Sequence, residues 1–215
     1  MSTPILHGYY RSSTSYRTRI ALALKHIEYD SVEVRLDQGA QRAAPFLEIS
    51  PMGAVPVLQI DGHTLIQSPA ILEYLDEHYP EPLLLPTTTP ARQQVREIAA
   101  LIGCDIHPIN NLRVLKYLRA THGFGDTDIA NWYRHWIAQG FDALENLLSK
   151  SSESGRYCVG DAVTLADVYL LPQVFNAARF EQPMTPYPNI QRIATHCAAL
   201  PAFAAAHPDR HEVTD

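Results

Sequence analysis

Two runs of β-prone residues, Val57-Leu58-Gln59-Ile60 and His63-Thr64-Leu65-Ile66, are separated by the single pair Asp61-Gly62. A two-residue connection needs positive φ at its centre, which Asp-Gly supplies at little cost. The segment is therefore fixed as a tight antiparallel hairpin. Val55-Pro56 stands directly before it, and a proline, having no N–H to give a ladder, must open a strand or sit at an irregularity. Whatever precedes the hairpin has to pair with one of its two edges or pack on its faces.

The flanking patterns define that context. Ile5 to Tyr9 reads as a buried strand, and Ser12-Ser13-Thr14-Ser15 is a cluster of capping residues before a helix with Tyr16, Ile20 and Leu24 on its apolar face. Ser31 to Leu36 alternates with Val32, Val34 and Leu36 on one side, which predicts a strand. A short helix over about 43–48 follows, stopped by Pro51 and Gly53. After the hairpin, Ser68 is expected to cap a helix with Pro69 at its first position and Ile71, Leu72 and Leu75 inside. The order βαβ, α, ββα predicts an α/β thioredoxin-like N-terminal domain over residues 1–80. Prolines at 80, 82, 86 and 90 mark 81–90 as a linker.

From 91 to 215 the patterns predict an all-α C-terminal domain. One helical segment runs from about Pro90 to Leu118, and another from Asp128 to Lys150 with Trp132, Trp136, Phe141, Leu144 and Leu148 on a core-facing stripe. Thr164-Leu165-Ala166-Asp167 matches a capping box with Asp in place of Glu, and Pro172 should kink the helix that follows.

At 46% hydrophobic and 19% charged, the chain can bury a sizeable core. A formal net charge of −6 argues against a nucleic-acid partner. Residues 1–13 lack the basic start and apolar run of a signal peptide, and nothing approaches the ~18–20 apolar residues of a membrane helix. The cysteines at 104, 158 and 197 are odd in number and widely spaced, so no disulfide framework is expected and a reducing cytoplasm is the expected location. Cys104 and His107 have i, i+3 spacing, and His207 and His211 recur near the end. Neither pair has a second one at ligand spacing, so no metal site is expected.

Nucleophile elbows, Walker loops, HExxH and dinucleotide fingerprints are missing. Three local patterns remain. Val55-Pro56 is either a loop proline or, as in thioredoxin-like folds, a cis proline that exposes the Val55 backbone to an extended peptide. Gln67-Ser68, where strand meets helix, offers free N–H groups, a hydroxyl and a positive dipole end to a carboxylate, unless Ser68 is only a cap. The hydroxyls from Ser12 to Ser15, at the start of another helix, would favour a bound thiolate, though capping alone also accounts for some of them.

Together these segments resemble the glutathione transferases. Ser12-Ser13-Thr14-Ser15-Tyr16-Arg17-Thr18-Arg19-Ile20-Ala21-Leu22 is similar to the SSCxWRxRIAL signature of the zeta class, the maleylacetoacetate isomerases. Pro51 to Pro56, Gln67 to Leu75, Tyr157 to Asp161, Leu171 to Val174, Arg179-Phe180 and Thr185 to Pro188 match as well. Cys104 to Leu115 resembles the bacterial branch that includes the maleylpyruvate isomerases. The likeness spans roughly residues 4–208.

What it implies is the glutathione transferase fold, a homodimer, glutathione as cofactor and a small dicarboxylate as substrate. Ser12, Ser13 and Thr14 would surround the sulfur, with Gln41 and Val55 on the peptide backbone. Gln67 and Ser68 would take the γ-glutamyl carboxylate, and His107, Asn111 and Arg113 would come from the helical domain. Arginine suits a carboxylate because its planar fork binds bidentately, which makes Arg11, Arg179 and Arg113 the substrate candidates, in that order. Thr14 stands where the zeta signature has Cys and Tyr16 where it has Trp, so no protein thiol is expected in the site. The expected activity is glutathione-dependent cis–trans isomerisation of maleylacetoacetate, with maleylpyruvate as the alternative substrate. Two rivals are a general glutathione transferase or dehalogenase, which needs no dicarboxylate arginines, and a non-catalytic binding module, which needs no intact serine cluster.

Overall fold

A computed structural model describes residues 3–151 and 153–213. Contacts divide the chain into two compact units, with the breaks at Leu83/Leu84 and Ala198/Ala199, so that the C-terminal segment belongs with the first unit.

The first unit is built on β1 (Ile5–Gly8), α1 (Ser13–Leu24), β2 (Asp30–Glu33), α2 (Ala44–Ile49), β3 (Val57–Ile60), β4 (His63–Ile66) and α3 (Ser68–His78). The strands lie in the order β2-β1-β3-β4, with β1 and β2 parallel and the other pairs antiparallel. Asp61 and Gly62 both adopt positive φ, 53° and 78°, as the hairpin requires. In β3 the adjacent residues Val57 and Leu58 are both fully buried, so this central strand is covered on both faces. Val57 joins Val34 and Phe46 of α2 in one cluster, while α1 and α3 pack against each other and Ile20, Ile71 and Leu75 on them are fully buried.

Two expectations for this unit need correction. The second strand ends at Glu33 instead of Leu36, and Val32 is exposed. As the edge strand it has one pairing partner, and its alternation is only half used. Val34, just beyond it, is the residue that reaches the core. Ser68 does not cap α3 but is its first residue, and Gln67 takes the cap position at φ 69° without a side-chain cap bond.

The C-terminal segment carries α9 (Pro201–Ala205), which packs on α1. The buried Arg19 fixes it by donating through Nε to the Ala206 carbonyl at 3.0 Å and through its terminal nitrogen to Tyr10 at 2.9 Å.

The second unit contains α4 (Thr89–Ala100), α5 (Leu112–His122), α6 (Asp126–Lys150), α7 (Leu165–Arg179) and α8 (Pro188–Ala198). The single helix expected up to Leu118 is interrupted. A π-helical stretch over Leu101–Ile106 and a turn separate α4 from α5, which restarts on the Asn111 cap. Gly140 on α6 is where this stretch approaches, since a Cβ there would overlap Ile106. The α6 core stripe runs through Ile129, Tyr133, Ile137, Phe141, Leu144 and Leu148. Trp132 and Trp136 are displaced from it onto a half-buried shelf, one step round the helix from where the stripe was expected.

The Thr164–Asp167 capping box is present. The Asp167 carboxylate accepts from the Thr164 N–H and hydroxyl and from the Cys158 N–H. α7 continues through Pro172 as one helix. No helix among the described residues is long and apolar enough to cross a membrane.

Candidate active site

In the first unit, the turn from β1 into α1 gathers the hydroxyl cluster. Ser12 has extended backbone at φ −69° and ψ 120°, and its Oγ accepts the Ser15 N–H at 3.2 Å, so it is the N-cap of α1. Ser12 Oγ lies 2.8 Å from Thr14 Oγ1, and Thr14 Oγ1 donates to the Val55 carbonyl at 3.0 Å. Each hydroxyl has one proton and the carbonyl has none, so Ser12 donates to Thr14 and Thr14 to Val55. Val55-Pro56 is cis, as in thioredoxin-like folds. Ser12, Thr14 and Val55 are half-buried, whereas Ser13 is buried at 4% exposure.

Arg11 precedes the cluster and is exposed. Its guanidinium donates to the Tyr9 hydroxyl at 2.9 Å and lies 5.1 Å from the centre of the Tyr10 ring. The Tyr9 hydrogen bond pushes its pKa upward, so the side chain remains cationic. Tyr9 is tied back to the cluster, since its N–H donates to Ser15 Oγ at 3.3 Å. The sequence reading treated Tyr9 as the end of a strand and missed this role; the adjacent Tyr9-Tyr10-Arg11 was the available signal.

Gln41 occupies a short 3-10 turn, Ala40–Arg42, and is buried, with no partner for Oε1 among the described residues. An orphaned buried acceptor costs about 1–3 kcal/mol, and a ligand N–H would relieve it. Ser68 is buried at the start of α3, where the first-turn N–H groups have no intrahelical acceptor and Pro69 removes one of them. Among the described residues its hydroxyl takes no partner. Gln67 beside it is exposed and held at positive φ, a conformation costing an L-residue about 1–2 kcal/mol. An orphan acceptor, a bare helix start and a hydroxyl-lined cap together fit a peptide with a carboxylate and a thiol. Among the described residues, the hydrogen bonds of Ser12 and Thr14 do not extend to Gln41 or Ser68.

In the second unit, His107 closes the π-helical stretch by donating its N–H to Ile102 at 3.0 Å and is half-buried. Asn111 caps α5, its Oδ1 accepting the Arg113 N–H at 3.1 Å, while the Arg113 side chain is exposed. Arg179 is exposed in the last turn of α7, with Asn176 Oδ1 3.4 Å from its terminal nitrogen and the Phe175 and Phe180 rings flanking it. The three cysteines also lie in this unit. Burial pushes the Cys158 thiol well up and the Cys197 thiol likewise, which removes both as nucleophiles at neutral pH. Among the described residues no group of three or more His, Cys, Asp or Glu is placed to hold a metal ion.

Comparison with known proteins places the chain in a two-domain family, with the C-terminal match running past Ala198 to take in α9. Residues 6–83 match the N-terminal domain of glutathione S-transferase, and residues 124–206 match its C-terminal domain. The chain is 50% identical to a probable maleylacetoacetate isomerase of Vibrio cholerae, over 97% of each. Among solved structures it is similar to the holo form of a maleylpyruvate isomerase described as a bacterial zeta-class glutathione S-transferase. There the identity is 48%, the coverage 95% of this chain and 96% of the other, and the TM-score 0.93. A maleylacetoacetate isomerase of Methylobacterium extorquens AM1, solved with malonate and glutathione bound, has 39% identity, coverage of 96% and 97%, and a TM-score of 0.93. This chain belongs to the glutathione S-transferase family, in its zeta-class branch of maleylacetoacetate and maleylpyruvate isomerases.

Proposed function

We propose that this protein is a glutathione-dependent cis–trans isomerase that converts maleylacetoacetate to its fumaryl isomer. The observation that carries the reading is the turn from Tyr9 to Thr14, where a cationic arginine held by neutral partners adjoins a directed pair of hydroxyls at a helix start. A dicarboxylate needs the first and a thiolate needs the second.

When bound, glutathione supplies a thiolate whose electron pair forms a C–S bond as the alkene's π pair moves to the conjugated carbonyl, and the reverse movement after rotation restores both. The protein's part is to bind, orient and hold charge. Ser12 turns its proton from Thr14 to the sulfur, with the positive end of α1 beneath it, and so favours the deprotonated thiol. Val55 and Gln41 hold the peptide backbone, and Gln67 and Ser68 take the γ-glutamyl carboxylate at the start of α3. His107 and Asn111 are proposed as further cofactor contacts from the second unit. Arg11 binds one substrate carboxylate, with Arg179 and Arg113 as the further cations. Family membership supports a cytoplasmic homodimer, which light scattering on the purified protein would test.

The deciding experiment follows the ultraviolet absorbance of maleylacetoacetate and of maleylpyruvate with and without glutathione. Turnover that requires the thiol but does not consume it is expected. Full-rate turnover without the thiol overturns the reading, and stoichiometric loss of thiol points to a conjugating transferase. The ratio of the two specificity constants assigns the native diacid.

A further inference from the structure

We infer that Tyr9 is a positioning residue for the reaction, fixing the Arg11 guanidinium for a substrate carboxylate without discharging it. The inference rests on the assignment of Arg11 to the substrate. An exposed arginine samples many rotamers, and ordering it costs up to about 2 kcal/mol of side-chain entropy. Here that ordering is done before any ligand arrives, because the Tyr9 hydroxyl accepts from the guanidinium at 2.9 Å and the Tyr10 ring centre lies 5.1 Å away. Both partners are neutral.

A carboxylate at the same distance would hold the side chain as firmly but would compete with an anionic substrate for its charge. A phenol leaves the positive charge whole. Of the five guanidinium N–H groups only one is directed at Tyr9, which leaves an edge for bidentate binding.

Tyr9 is itself held in place. It is buried at 6% exposure, its N–H is bound to Ser15 Oγ, and its carbonyl accepts the Ser12 N–H at 2.9 Å. The residue that orders the arginine is therefore rooted in the backbone turn that presents the Ser12 hydroxyl. Substrate carboxylate and sulfur are referenced to one rigid segment, which is the geometry that a near-attack arrangement demands.

The test is a double-mutant cycle on the full-length enzyme with Tyr9→Phe, Arg11→Ala and the pair, read as KM for the diacid, kcat, and the pH titration of bound glutathione thiol. Tyr9→Phe keeps the ring and removes only the acceptor. It should raise the diacid KM about five- to tenfold, with a smaller change in kcat and an unmoved thiol titration. In the Arg11→Ala background the same change should be silent, because Tyr9 acts only through Arg11. A Tyr9→Phe enzyme with unaltered KM overturns the inference, as does an equal loss in both backgrounds, which would place the phenol directly on substrate. A shifted thiol titration would also overturn it, showing the turn itself to be disturbed. If Arg11→Ala alone has normal KM and kcat, the Arg11 assignment falls instead, an outcome distinct from the others.

Discussion

Ser12 Oγ and Thr14 Oγ1 lie 2.8 Å apart, and the proton count makes Ser12 the donor, since Thr14 gives its only proton to the Val55 carbonyl. Ser12 thus caps α1 and donates to Thr14, and under the proposed function it is also the hydroxyl offered to the sulfur. Ser12→Ala should therefore lower both stability, by about 1 kcal/mol for the lost cap, and the fraction of bound glutathione present as thiolate at neutral pH. Thr14→Val removes the relay but leaves the cap, so its melting temperature should stay close to that of the wild type. Thermal melts and thiolate difference absorbance against pH read the two effects separately. A titration unchanged in Ser12→Ala but shifted in Thr14→Val would transfer the sulfur contact to Thr14.

Ser68 begins α3 as a buried residue whose hydroxyl takes no partner among the described residues. Under the proposed assignment, Ser68→Ala deletes one hydrogen bond to an ionised carboxylate and leaves the amide donors in place. The expected cost is about 1.5–3 kcal/mol in glutathione binding, or roughly ten- to a hundredfold in Kd. The thiol titration should not move, because the effect is confined to the far end of the tripeptide. Calorimetric binding measures the first quantity; an unchanged Kd would remove Ser68 from the carboxylate site.

The first unit also contains a buried charge pair. Lys25 Nζ is 2.7 Å from Asp76 Oδ1 and 2.6 Å from the Pro82 carbonyl, and the two side chains are 0% and 5% exposed. Removing one member strands the other charge in a low-dielectric interior, so Lys25→Met should destabilise by about 3–5 kcal/mol. Lys25→Met with Asp76→Leu should recover most of that loss, because the desolvation cost of both charges disappears as well. Urea unfolding of the three proteins decides it. A double variant no more stable than Lys25→Met would mean the pair's geometry, and not the stranded charge, sets the cost.

How much of this was legible in the sequence depends on whether a residue's partner is near it in the chain. Asp61-Gly62 and the Thr164–Asp167 box declare themselves locally and are found as expected, and of the two readings open for Val55-Pro56 the cis form is the one found. Ser68 and Gln67 were misplaced by one position, since the choice between cap and first residue depends on the φ of Gln67, which sequence does not encode for a non-glycine. The fit of Ile106 against Gly140, the docking of α9 on Arg19 and the capping of α8 by Glu145 involve partners tens of residues apart, or many more, and left no periodic trace. The site divides in the same way. The hydroxyl cluster was visible as composition, whereas the direction of its protons and the grip of Tyr9 on Arg11 required coordinates.

In the second unit, Tyr187 is buried and donates from its hydroxyl to Asp142 on α6 at 3.0 Å. Burial, and after it the bond to the Asp142 carboxylate, push its pKa to about 12 from an ordinary value of 10.0. The folded state therefore holds this proton more tightly than the unfolded chain. Stability from the pair is complete below about 10 and is lost as pH rises through about 12. Over that window the unfolded chain has released the proton while the folded one retains it, so the stability curve should fall by up to about 1.4 kcal/mol per pH unit on account of this residue. Tyr79 is pushed to about 12 in the first unit by burial and by its bond to Asp61, and contributes a second slope of the same sign. Tyr187→Phe should be somewhat less stable at neutral pH, having lost a hydrogen bond, yet shallower in its alkaline decline. Combining it with Tyr79→Phe should flatten that decline further. Denaturant titrations at intervals across the window, paired with tyrosinate absorbance, measure both terms. A Tyr187→Phe protein whose alkaline slope equals the wild type's would show that the folded state does not hold the Tyr187 proton more tightly than the unfolded chain.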